Sequence, residues 1–130
     1  MKLRSILFFL TITLGLLSCG QFTIAAESSP SIRYVVIHKP GPAWQADLDF
    51  QNQPGVGAHV AHYKKLFDQG RLAFGGPYLD NSGGMMIAAK GEARAEIEKF
   101  AMEDPAVQSG LLTFEVKPWL IAMEKEAPLP

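Results

Sequence analysis

From residue 32 onward the apolar positions switch between a period of two and a period near 3.6, and those switches predict the elements. Residues 32–38, IRYVVIH, are β-branched and aromatic and predict a buried first strand. Pro40-Gly41-Pro42 ends it, because proline brings no donor to a strand ladder. Val56, Val60, Tyr63 and Phe67 recur at helical spacing with Lys64, Lys65 and Asp68 on the other side, so an amphipathic helix is expected with those four as its apolar stripe. Gly70 stands where a helix end wants a residue free to take positive φ. Residues 72–78 form a short apolar run containing Gly75-Gly76, and the turn from Asp80 to Gly84 leads into a second run at 85–89, which together predict a hairpin. Residues 91–103 repeat the helical pattern with Ile97, Phe100 and Ala101 on one face, and Asp104-Pro105 stops it. After a short turn over 106–110, residues 111–119 alternate as a last strand with Leu112, Phe114 and Val116 on one side.

The order β, α, β, β, α, β predicts an α+β, ferredoxin-like fold, an antiparallel sheet with two helices on one face. The other face of such a sheet has no cover, and a second copy of the chain is the simplest layer for it, so a homodimer is expected. The connection over 43–57, with Trp44, Asp47, Asp49 and Phe50, is longer than most in a compact domain and reads as a rim or lid.

The first thirty residues follow a different pattern. Lys2 and Arg4 precede a twelve-residue apolar run at 6–17, too short for the roughly 20 residues that span a bilayer, so residues 1–26 read as a signal peptide. Leu16-Leu17-Ser18-Cys19 resembles a bacterial lipobox, with cleavage before Cys19 and lipidation of that cysteine; cleavage at Ala25-Ala26 is the competing reading. Either way the protein is expected to be exported, periplasmic or lipid-anchored in a bacterial cell envelope, touching membrane only through such an anchor. Cys19 is the sole cysteine, which excludes an intrachain disulfide. Residues 31–121 then form one domain and 122–130 a polar tail. Without Lys2 and Arg4, ten basic residues face thirteen acidic ones and no basic run remains, which argues against nucleic acid as a partner.

Candidate chemistry is sparse. His59 and His62 share a helix face at i and i+3, and His38 ends the first strand, but no HExxH, domain cysteine or carboxylate at ligand spacing accompanies them, so no metal is expected. A histidine at a helix start favours its neutral, basic form. Asp104 before Pro105 has the sequence of an N-cap followed by proline at the first helical position, and Asp80 that of a turn residue. Gly75, Gly76, Gly83 and Gly84 match no phosphate loop, and no serine elbow is present. Met85-Met86 and Trp119 read as packing or dimer contact.

The segments YVVIHKPGP, HVAHYKKLFDQGRL, GGP, the dipeptide DP and the terminal KPW, taken in order, resemble the YCII-related family of the dimeric α/β-barrel group over residues 32–119. The resemblance implies a ferredoxin-like, dimeric α/β barrel. It places the family's helix histidine on His59 and its DP aspartate on Asp104, as a catalytic pair in a pocket. Beside the resemblance, no cofactor is expected and a small organic molecule is the expected ligand, with Trp44, Gly76 and Pro77 as substrate-binding candidates. Two features depart from a typical member: the export signal, and the long loop bearing Trp44 and Asp49. Three readings follow: a cofactor-free proton-transfer enzyme, a non-catalytic module that binds a small molecule or a protein, and a haem- or oxygen-handling relative supported only by His38, His59 and the methionines.

Overall fold

The computed structural model describes residues 31–124; the predicted signal peptide, Cys19 and residues 125–130 of the tail lie outside the described residues. Four strands, β1 (Ser31–Pro40), β2 (Leu72–Pro77), β3 (Gly84–Ala88) and β4 (Leu112–Ile121), form an antiparallel sheet in the order β2-β3-β1-β4. Helices α1 (Val56–Asp68) and α2 (Arg94–Met102) lie on one side of it, which is the expected α+β ferredoxin-like arrangement. The segment after Asp104, expected as a turn, forms the short helix α3 (Pro105–Gln108).

β1 runs through the middle and pairs with both β3 and β4, so its alternation sorts the sheet's two faces. Tyr34 and Val36 turn toward the helices and meet Met86, Ala88, Phe114 and Val116 from the neighbouring strands. Tyr63 and Leu66 from α1 and Ile97 and Ala101 from α2 close this core. A smaller cluster, Ala106, Leu111 and Leu112, packs under Trp44 and roots the long loop.

The apolar stripe of α1 is not the one its spacing suggests. The buried line is His59, His62, Tyr63 and Leu66, whereas Val60 and Phe67 are 58% and 56% exposed. Two apolar lines run side by side on this helix; one meets the sheet and α2, and the other borders an open pocket. The helix ends as expected: Gly70, at φ 70°, gives its N–H to the Phe67 carbonyl while the Arg71 N–H reaches back to Leu66.

The long loop is tied down. The buried Gln53 side chain bridges the Gln45 backbone and the Leu48 carbonyl, and the loop's Phe50 N–H donates to Asn81 on the hairpin turn at 3.0 Å. At Gly83, φ is 130° and a Cβ would run into the carbonyl of His38, so only glycine lets this turn close over the end of β1.

Candidate active site

His59 stands in the first turn of α1, and Asp104 caps α3. Nδ1 of His59 lies 2.6 Å from Oδ2 of Asp104, which is wholly buried. The second Asp104 oxygen accepts the Ala106 N–H at 3.0 Å. The capping and the pairing roles that the sequence set in competition are therefore both carried by one carboxylate, one oxygen each. Burial alone would raise the Asp104 carboxyl; the hydrogen bond and charge of His59, the Ala106 amide and His38 outweigh it and hold it below the ordinary carboxylate range. An ionised Asp104 only accepts, so Nδ1 of His59 donates, and in the neutral ring the lone pair is the one on Nε2.

Two further groups join this pair. His38, at the far end of β1, places Nε2 2.9 Å from the Tyr63 hydroxyl. Burial, reinforced by repulsion from His59, lowers the His38 pKa to about 4, so its imidazole is neutral. Burial likewise pushes the Tyr63 phenol up, with Asp104 adding to the effect. The rings of His38, His59 and Tyr63 pack edge to face. His62 packs edge to face on Tyr63, but its Nε2 pairs with the Phe100 carbonyl at 2.8 Å and its ring stacks on Phe100, tying α1 to α2.

His38, His59 and Tyr63 all line a pocket of about 630 Å³ between α1, the sheet and the long loop. Trp44, Gly76 and Pro77 line it as well; Asp104 does not and stands behind His59. Val56, Val60, Phe67 and Phe74 make much of its wall apolar. Asp80 stays a turn residue, its Oδ1 accepting the N–H and hydroxyl of Ser82. Among the described residues His38, His59 and Asp104 are the group that could hold a metal ion, their ligand atoms lying within 4.8 Å of one another.

The sequence missed the His38–Tyr63 contact. Its signals were faint: His38 alternates with Val36 on β1, and Tyr63 follows His59 by one helical turn.

Comparison with known proteins agrees with the fold. The YCII-related domain family matches residues 32–120. No curated protein matches the chain. Among solved structures, the 5-chloro-2-hydroxyhydroquinone dehydrochlorinase of Burkholderia phenoliruptrix, in complex with 2,5-dihydroxybenzoquinone, is similar at a TM-score of 0.51 and 21% identity. The match covers 67% of this chain and 92% of the dehydrochlorinase.

Proposed function

The chain belongs to the YCII-related family, and from that premise we propose a cofactor-free enzyme that moves a proton on a small organic molecule, with His59 as the base and Asp104 as its orienting partner. One observation carries the reading: the 2.6 Å bond between a pocket-lining histidine and a wholly buried, ionised aspartate. In the proposed step the substrate's O–H or activated C–H proton passes to Nε2 of His59. Asp104 holds the ring in the right tautomer and stabilises the imidazolium that forms. An apolar pocket of about 630 Å³ with its polar groups at one end suits a hydroxylated ring. The dehydrochlorinase neighbour, which holds a dihydroxybenzoquinone, suggests which compounds to try first.

Chloride release from 5-chloro-2-hydroxyhydroquinone, and deuterium uptake from heavy water by hydroxylated benzoquinones, test the proposal. Asp104→Asn is expected to slow either reaction by about 10²- to 10⁴-fold, and His59→Gln at least as much. Variants as fast as the wild type overturn it. The apolar, open-sided wall favours one second reading, a module that binds the same molecules without reacting; there, ligands bind and neither assay gives a rate.

The enzyme is further proposed to be exported, periplasmic or lipid-anchored, and to work as a homodimer. If Cys19 carries a lipid, labelled palmitate enters the protein in a bacterial host and the Cys19→Ser variant takes up none.

A further inference from the structure

Beside the His59–Asp104 pair the pocket wall carries two further polar side chains that the proposed proton transfer does not use. Tyr63 is one helical turn beyond His59 on α1, and its hydroxyl is 2.9 Å from Nε2 of His38. The ring centroids of His38, His59 and Tyr63 stand 5.0 to 5.3 Å apart, so the three rings form a closed triangle in the pocket wall. Both His59 and Tyr63 line the pocket, so one substrate can face the two of them.

The place of the proton on His38 decides what Tyr63 can offer the pocket. Nδ1 of His38 is buried and makes no hydrogen bond of acceptable geometry, although the Thr113 backbone lies near it. With the proton on Nε2, His38 donates to the Tyr63 oxygen; with it on Nδ1, facing the Thr113 backbone, the Tyr63 hydroxyl donates to His38. An anionic oxygen in the pocket selects the first arrangement, in which the phenolic proton is free to turn toward it. The other polar groups of the wall are less suited: Lys64 is engaged by both oxygens of Asp68 at 2.7 Å, and Gln51 sits on the exposed part of the long loop.

We infer that Tyr63 is a further catalytic residue, whose hydroxyl, positioned by His38, donates a hydrogen bond to the substrate oxygen that becomes negative when His59 takes the proton. This inference rests on the proton-transfer reading above. The substrate's O–H or C–H bond breaks and its proton bonds to Nε2 of His59. The electron pair stays on the substrate and settles on the oxygen facing Tyr63, and nothing is oxidised or reduced. A neutral phenol on a buried ring, held in place by His38, stabilises such an oxyanion without reorganising. Tyr63 stays protonated because burial disfavours its ionised form, and His38 stays neutral for the same reason. The substrate class follows: a ring or chain whose ionisable hydrogen is conjugated to an oxygen able to hold the charge, as in phenols, enols and hydroxyquinones.

The probe is 4-nitrophenolate, titrated into the protein at a pH where it is ionised, with absorbance reporting donation to its oxygen. Wild type is expected to bind it with its band shifted to shorter wavelength than the ion shows in an apolar solvent. Tyr63→Phe, which keeps the ring, is expected to lose that shift and weaken binding about tenfold or more. His59→Gln keeps the shift, while its affinity changes with the loss of the imidazole. His38→Gln, whose amide can still pair with Tyr63, keeps the shift and loses only part of the affinity. In turnover of a substrate, Tyr63→Phe lowers kcat with little change in KM. A shift that survives Tyr63→Phe, a shift that vanishes in His59→Gln instead, or no binding by folded wild type overturns the inference. The spectral readout needs no turnover, so it stands or falls separately from the rates of the His59 and Asp104 variants.

Discussion

At the scale of single residues, Asp104 has two oxygens and two duties, and the two can be separated. Asp104→Asn keeps a capping oxygen for the Ala106 N–H but loses the charge facing His59, so the fold survives while the proposed reaction slows. Asp104→Ala removes both and is expected to cost about 1–3 kcal/mol in denaturant unfolding. Carbon NMR of Asp104 should show a titration below the ordinary carboxylate range, moving up in His59→Gln, where burial prevails over the lost hydrogen bond. His38 sets a different pH window. Its folded pKa, about 4, lies below the 6.5 of an exposed imidazole, so the unfolded chain binds the extra proton between those values. The stabilisation is full above pH 6.5 and is lost as pH falls toward 4, at most about 3 kcal/mol. Urea unfolding from pH 7 to pH 4 should be visibly flatter for His38→Gln than for wild type. Equal slopes would place the acid sensitivity elsewhere.

At the scale of elements, α1 divides its apolar residues between two duties. Leu66 is 1% exposed in the core, and Leu66→Ala is expected to cost about 2–5 kcal/mol. Val60 is 58% exposed and faces the pocket, so Val60→Asp should leave the unfolding midpoint nearly unchanged while weakening the binding of apolar rings. A Val60→Asp variant that unfolds like Leu66→Ala would mean that the two lines are one core. The helix itself was legible in the sequence, since spacing and Gly70 gave its period and its end. Which of its lines is covered was not, because burial depends on what stands opposite. The same holds for the site. His59 and Asp104 could be singled out through a family resemblance and then found 2.6 Å apart, and the expected substrate-binding residues Trp44, Gly76 and Pro77 line the pocket. His38 and Tyr63 are 25 positions apart on a strand and a helix, and no local pattern brings such residues together. Asp104 was read as cap or catalytic partner because one-dimensional spacing cannot assign two oxygens separately.

At the scale of the whole molecule, the sheet's second face is the remaining argument. The register that turns Tyr34 and Val36 toward the helices turns Val35 and Ile37 away from them, with Met85 and Ile87 beside them on β3 and Trp119 at the end of β4. Trp119 is 44% exposed and Met85 36%, on a face that no helix of the described residues covers. Glu115 and Lys117 share that face, as the alternation of β4 requires, and give it both signs of charge. A face with an apolar middle and mixed charges is suited to pairing with a copy of itself about a two-fold axis, where each charge can meet its opposite. A stable pairing of that kind buries about 1,200–2,000 Å² in total. The prediction is a dimer of twice the chain mass in light scattering at micromolar concentration. Trp119→Glu, which puts a charge where the two sheets would meet, should give a single chain mass. The pocket lies on the helix side of the sheet, so the monomeric variant should keep its fold and its 4-nitrophenolate band. A monomeric wild type would refute the dimer while leaving His59, Asp104 and Tyr63 untouched. A monomer that also loses the band would mean that the second copy supports the pocket across the sheet.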